Sequence, residues 1–178
     1  MNQSTKLLCM KTRGYIWRRL LWFVALAPLI SCGQNNQPLE NMENEHKVVK
    51  SEEEWKKILS PAQYYILREK GTERPYTGAL LMNKEEGVYK CAGCGNVLFD
   101  SDSKFDSHCG WPSFDREVAE GRILKRKDTS HGMIRIEIVC ARCDGHLGHV
   151  FDDGPTETGL RYCVNSLALE FTKVGDEK

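Results

Sequence analysis

The sequence predicts a mainly β domain, a small antiparallel β-fold with two short helices at its front, over residues 47–174. Three observations predict it. Beyond residue 78, apolar residues recur in short alternating runs separated by Gly, Asn and Asp, which is the period of strands and turns. Ahead of them, two serine-led segments carry helix-start signals. Four cysteines stand in two C-x-x-C pairs, a pattern that staples domains whose own core is small. A length of 178 residues suggests one domain with appendages. With 25 basic and 25 acidic residues and no long basic run in the body, nothing in the charge points to nucleic acid.

The amino terminus reads as a targeting segment rather than as part of the fold. Lys6, Lys11, Arg13, Arg18 and Arg19 form a positive stretch, and Leu20 to Ile30 is an apolar run of 11 residues. That is too short to span a bilayer and suits a signal sequence. The run ends in Leu29-Ile30-Ser31-Cys32, which resembles a bacterial lipobox. The expectation is a signal peptide over 1–31 that is removed, and a lipid on Cys32 that anchors the chain to a bacterial membrane on its extracytoplasmic side. Residues 32–46 are polar and read as a tether, and 175–178 as a tail.

Within the domain, Ser51-Glu52-Glu53-Glu54 is a capping box opening a helix through Leu59. Ser60-Pro61-Ala62-Gln63 opens a second, with Pro at the first helical position and Gly71 as the stop. Pro75 holds Arg74 extended and marks a loop through Gly78. Gly87–Cys91 and Val97–Phe99 read as strands. Met133–Val139 is the clearest, with Ile134, Ile136 and Ile138 set to be buried and Arg135 and Glu137 wet. Arg161 to Ser166 reads as a strand on which Arg161, Cys163 and Asn165 share a face, with Leu167, Leu169 and Phe171 continuing it.

Two residues separate Cys91 from Cys94 and Cys140 from Cys143, so each pair can aim both sulfurs at one ion. Together they make a closed tetrahedral four-cysteine site, expected to hold one structural zinc. With these four, Cys9 and Cys32 set aside, the remaining two of the eight cysteines are Cys109 and Cys163. Cys109 lies among Gly and Pro in a loop, and Cys163 lies on a strand beside Arg161, whose charge favours a thiolate. A fixed and a mobile thiol suit a two-step redox cycle, and they equally suit a plain structural disulfide. His146 and His149 suit acid–base work, although either could ligate a metal if the thiolates did not already fill the shell. Trp111 and Phe151 could form an apolar cup for a group as small as a methyl.

These stretches together resemble the methionine-R-sulfoxide reductase B family, from about Ser51 to Phe171. The resemblance rests on Cys109-Gly110-Trp111-Pro112-Ser113-Phe114, Ser130-His131-Gly132-Met133, His146-Leu147-Gly148-His149-Val150-Phe151, Arg161-Tyr162-Cys163-Val164-Asn165-Ser166 and both knuckles. It implies a β-tent of two antiparallel sheets and reduction of the R epimer of methionine sulfoxide in oxidised proteins or peptides, one enzyme type serving each epimer. It implies Cys163 as the nucleophile, Cys109 as the resolving thiol, and a thioredoxin-like reductant. It implies that His149 and Asp153 bind or protonate the sulfoxide oxygen, directly or through water, that His146, Arg161 and Asn165 line the site, and that Trp111 and Phe151 hold the methyl group. His108 stands where the family commonly has glycine. A zinc-bearing β-tent that binds partners without chemistry, which would not need Cys163, Cys109 and His149 together, and a general thiol peroxidase are the competing readings.

Overall fold

The computed structural model describes residues 47–176. The expected signal peptide, the expected lipid site at Cys32 and the expected tether lie outside the described residues. Among the described residues no helix is long and apolar enough to cross a membrane.

Two short helices come first. Helix α1 is Glu52–Ile58 and α2 is Pro61–Leu67. Each begins with a complete capping box: Ser51 with Glu54, and Ser60 with Gln63, exchange side-chain and backbone hydrogen bonds of 2.7–3.2 Å. Such boxes satisfy amide donors that the first turn leaves orphaned. The buried faces carry Trp55, Ile66 and Leu67. Gly71 is not the residue that ends α2; Lys70 takes the left-handed conformation instead, at φ 56°. Gly71 has a different duty, since any side chain there would collide with the Tyr65 ring.

Nine strands follow among the described residues. β1 (Gly87–Cys91), β2 (Val97–Asp100) and β9 (Leu169–Lys173) form a three-stranded antiparallel sheet in the order β2-β1-β9. β3 (Lys104–Phe105), β4 (Ser113–Phe114), β5 (Ile123–Asp128), β6 (Arg135–Cys140), β7 (His146–Phe151) and β8 (Arg161–Val164) form a six-stranded one, ordered β3-β4-β8-β7-β6-β5. The core lies between the sheets. Phe99 of the small sheet stacks on Phe114 of the large one with ring centroids 4.1 Å apart, and Tyr89 meets Phe114 edge-on at 4.9 Å. Aromatic pairs in these offset and edge geometries add about 0.5–1.5 kcal/mol each beyond the area they bury.

Phe114, Tyr162 and Val150 lie opposite one another on adjacent strands and turn inward. Their sequence neighbours therefore turn to the other face. There the register sets Ser113 beside Cys163, Cys163 beside His149, His149 beside Glu137 and Glu137 beside Arg126. One transverse row of the sheet thus carries the chemistry-bearing residues.

Two expectations about strands are corrected. Around β6 the faces read in the sequence hold only in part: Ile138 is fully buried as expected, but its companions are not. Ile134 is 79% exposed and Ile136 39%, while Glu137 is buried at 4%. The polar residues of β6 are turned towards the site, where Glu137 meets Lys70 and His146 and Arg135 Nη2 meets Asp128. The run from Cys163 to Phe171 is not one strand either. A 3-10 turn, Ser166–Ala168, breaks it, and β9 crosses to the other sheet. Glu73 fixes this turn: its carboxylate accepts from the backbone amides of Ser166 at 2.5 Å and Leu167 at 3.2 Å.

Candidate active site and metal centre

Cys91, Cys94, Cys140 and Cys143 place their sulfurs within 4.8 Å of one another. Cys91 to Cys143 and Cys94 to Cys140 are each 3.6 Å apart. Four sulfurs at the zinc–thiolate bond length of about 2.3 Å in a tetrahedron stand about 3.8 Å apart, so the donor set fits a zinc ion closely. The loops are shaped for it: the amide of Gly95 turns back to the Cys91 carbonyl at 2.8 Å, and that of Asp144 to the Cys140 carbonyl at 2.9 Å. The Asn96 amide donates to Cys140 Sγ at 3.5 Å. Trp55 of α1 and Leu67 of α2 press on Gly93, and Leu67 also meets Gly145, so the helices close the centre from one side. Thiolates fill all four positions, which makes the centre structural.

Cys163 sits in the middle of β8 and Cys109 in the loop between β3 and β4, with their sulfurs 3.6 Å apart. Both thiols are free. The loop is fixed from two sides. Tyr76 donates its amide to the Gly110 carbonyl at 2.8 Å and its hydroxyl to the His108 carbonyl at 2.6 Å. His108 adopts φ 56°, a conformation that glycine takes more cheaply, and its side chain points to solvent. Ser107 donates its hydroxyl to Cys109 Sγ at 2.9 Å, and the Ser113 hydroxyl lies 3.5 Å from the same sulfur.

Two thiols this close share one negative charge. The Cys163 S–H and the Ser107 and Ser113 hydroxyls lower Cys109 to about 4 against the opposition of burial. The Cys109 thiolate, and then burial, raise Cys163, while Arg161 opposes both. From the sequence, Arg161 beside Cys163 favours the thiolate there. In the reduced pair the S–H bond from Cys163, helped by the Ser107 and Ser113 hydroxyls, favours the negative charge on Cys109.

Beside the pair opens a cavity of about 110 Å³ lined by Trp111, Phe151, His149, Arg135, Asn165 and Thr72, with Gly148 and Cys163 at its base. An engineered apolar cavity of roughly 150 Å³ admits benzene, so this one suits the small end of a side chain. Gly148 is forced: at φ 155° any side chain would run into the Cys163 carbonyl. Trp111 is held by its ring N–H donating to the Glu73 carbonyl at 3.1 Å. Asn165 is buried, donating to the Leu147 carbonyl at 3.0 Å and accepting from the Glu73 amide at 3.0 Å.

His146 and His149 are three residues apart, and on a regular strand they would face opposite ways. A register shift in β6–β7 pairing brings both to the site face, with ring centroids 5.6 Å apart. His149 reaches the cavity wall. His146, expected on that wall, stands behind it, with its Nδ1 2.8 Å from the buried Glu137 carboxylate. Burial lowers His146, and Glu137 acts against that. Lys70 also donates to Glu137, at 2.8 Å. Asp153 is not on the wall either. It grips Arg161 with two bonds of 2.8 Å, and Arg161 lies over the Phe151 ring at 4.4 Å. Its carboxylate therefore acts on the site through Arg161.

Sequence reasoning missed Thr72, Glu73, Asp128, Arg135 and Glu137. Asp128 Oδ2 lies 2.7 Å from His149 Nε2 and accepts from Arg135 Nη2 at 2.8 Å. The signal for Arg135 and Glu137 is their place on the polar side of β6, which on alternation alone reads as solvent-facing.

Residues 59–173 match the SelR domain family. The chain is 61% identical over 124 residues, 70% of its length, to a peptide methionine sulfoxide reductase MsrB of Bradyrhizobium diazoefficiens, covering 89% of that protein. Over 136 residues it is 57% identical to the protein of the same name from Methanosarcina barkeri, with 74% of this chain and 96% of the relative covered. A namesake from Leptospira interrogans is 59% identical over 128 residues, with 72% and 98% covered.

Two outcomes are expected of this geometry. Freshly purified protein should hold one zinc per chain by elemental analysis, and chelation should unfold it, since structural zinc contributes about 10–16 kcal/mol. Folded protein without bound metal would contradict that. Iodoacetamide should label Cys109 at a nearly constant rate between about pH 5 and pH 8, where an ordinary thiol slows about tenfold per unit. In Cys163→Ala the labelling midpoint should move up, because the main donor to Cys109 is gone. A wild-type profile that already falls steeply below about pH 8 would contradict the shared-charge arrangement.

Proposed function

The chain belongs to the SelR family of peptide methionine sulfoxide reductases, and on that premise we propose how its own residues carry out the reduction of methionine sulfoxide. The observation that carries the mechanism is the 3.6 Å contact of Cys163 with Cys109 beside a cavity walled by Trp111, Phe151 and His149. Passage of the shared proton to Cys109 leaves Cys163 as the thiolate, with Arg161 nearby to favour it. Cys163 Sγ attacks the sulfoxide; the S–O bond to methionine breaks as oxygen passes to Cys163, and His149 supplies a proton to that oxygen. Methionine leaves and Cys163 becomes a sulfenic acid. Cys109, now the thiol, attacks the Cys163 sulfur, and one water departs as the disulfide forms. The two sulfurs must approach by roughly 1.5 Å to reach a bond of about 2.05 Å.

Trp111 and Phe151 hold the substrate methyl, with the oxygen towards His149. A rigid apolar wall on one side and a donor on the other accept one handedness at sulfur, and the R epimer is the one proposed. A thioredoxin-like dithiol restores the pair by exchange. The substrate is an oxidised protein or peptide. Zinc holds the knuckles and takes no part in electron transfer. A partner-binding role without chemistry gives no reason for two free thiols in contact on a cavity wall.

The positive stretch, apolar run and lipobox-like Leu29–Cys32 support a lipoprotein held to a bacterial membrane through Cys32, facing the periplasm or the cell surface. A donor linked to that membrane is then required.

With R and S epimers of a methionine sulfoxide peptide and dithiothreitol, R should be consumed and S left. Cys163→Ser should lose all activity, whereas Cys109→Ser should turn over with dithiothreitol but not with a thioredoxin donor. Equal loss of both epimers, or of neither, would reject the reading. Radiolabelled palmitate should enter the wild-type chain in a bacterial host and not Cys32→Ala; label in both would remove the anchor.

A further inference from the structure

Asp128 lies at the end of β5, on the edge strand, far in sequence from both thiols. Its side chain is nevertheless part of the site. One carboxylate oxygen, Oδ2, meets His149 Nε2 at 2.7 Å and accepts from Arg135 Nη2 at 2.8 Å. The other, Oδ1, accepts the Ser130 amide at 2.9 Å, which folds the Thr129–Gly132 turn back over the carboxylate. The group is largely shielded, at 16% side-chain exposure, and His149 is at 13%. Both residues sharing Oδ2, His149 and Arg135, line the cavity with Cys163. Arg135 Nε is buried and has no partner among the described residues.

We propose that Asp128 is the positioning residue of this site: its carboxylate fixes the His149 ring with Nε2–H turned away and holds Arg135 alongside it, leaving His149 Nδ1 for the oxygen of the substrate. The nitrogen of a histidine that carries the proton is set by the bond its other nitrogen makes. A carboxylate accepts only, so the neutral ring must keep its hydrogen on Nε2. His149 then meets the sulfoxide through Nδ1, as a donor once it is protonated. The imidazolium so formed is balanced by the anion behind it. The bonds from Ser130 and His149 hold Asp128 well below the ordinary carboxylate range, so that balance is present throughout neutral pH. The unpaired Arg135 Nε is a second donor beside the cavity, and a buried donor without an acceptor is costly until one is supplied. Lys70–Glu137–His146 forms a separate chain behind the pair and does not touch Asp128.

The inference rests on the proposed reductase activity and can fail separately from it. The groups around His149 are Asp128 of β5, Arg135 and Glu137 of β6, His146 of its own strand, Cys163 of β8 and Cys109 of the facing loop. Asp128→Asn keeps the shape and removes the charge. It should lower kcat on the R epimer by at least about tenfold, with KM little changed, since the like change behind a serine-protease histidine costs about ten-thousandfold in kcat. Loss of an anion beside a cationic acid makes that acid release its proton more readily, so the alkaline limb of the rate should move to lower pH. A variant with wild-type kcat and an unmoved alkaline limb would overturn the proposal. A measurement on the wild-type chain needs no variant to fold: two-bond ¹⁵N imidazole correlations should place the neutral His149 proton on Nε2. A proton on Nδ1 would overturn the proposal even where R-epimer turnover is normal. A wild-type chain with no R turnover would instead reject the reductase reading, leaving the tautomer result to judge Asp128.

Discussion

The site depends above all on lateral register in the six-stranded sheet. Cys163, His149, Glu137 and Ser113 come from four strands, and only one alignment sets them side by side on one face. Because strand side chains alternate, a slip of one residue in β8 would turn Cys163 into the aromatic core and bring Tyr162 to the cavity. The core resists that slip. Tyr162 and Phe114 are almost fully buried, in contact with Phe99, and neither could be exposed cheaply. The apolar face of the sheet thus fixes the position of the reactive one.

The metal centre and the helices secure the two ends of this arrangement. One knuckle follows β1 of the small sheet and the other follows β6 of the large one, so a single ion ties the sheets at the corner where they would otherwise splay. The helices cover that corner with Trp55 and Leu67 and also reach the site: Arg68, just past α2, donates to the Cys143 carbonyl, and Lys70 to Glu137. The segment that follows carries Glu73, whose backbone holds Trp111 and Asn165 and whose carboxylate closes the turn after β8. A domain this small has little core to spare, and the ion with its two caps supplies the missing rigidity.

Much of this is legible in the residues because it rests on local rules. Both capping boxes, β1, the zinc tetrad and the two spare thiols follow from spacing alone. The position of Cys109 against Cys163 agrees with a pairing that loop and strand chemistry leave undecided between redox and structural roles. What is not legible depends on pairing between strands distant in sequence. Arg135 and Glu137 look solvent-facing because alternation tells which residues share a face, not which face is covered. Asp128 gives no signal, since its importance comes from a neighbour 21 residues away. His146 is misplaced on the cavity wall because a strand's period says nothing about a bulge that sets one histidine behind the other. Nor does the sequence show that the Asp153 carboxylate is taken up by Arg161, eight residues on.

Cys109 and Cys163 are in contact before any substrate arrives, so the proposed cycle needs no large loop closure between its two chemical steps. A sulfenic acid left waiting would meet a second oxidant and go on to the sulfinic acid, which ordinary thiols do not reverse. On the proposed cycle the capture partner is already in place, which shortens the life of that oxidation state. Proximity thereby acts as built-in protection against suicide inactivation under the very stress that would call for the protein.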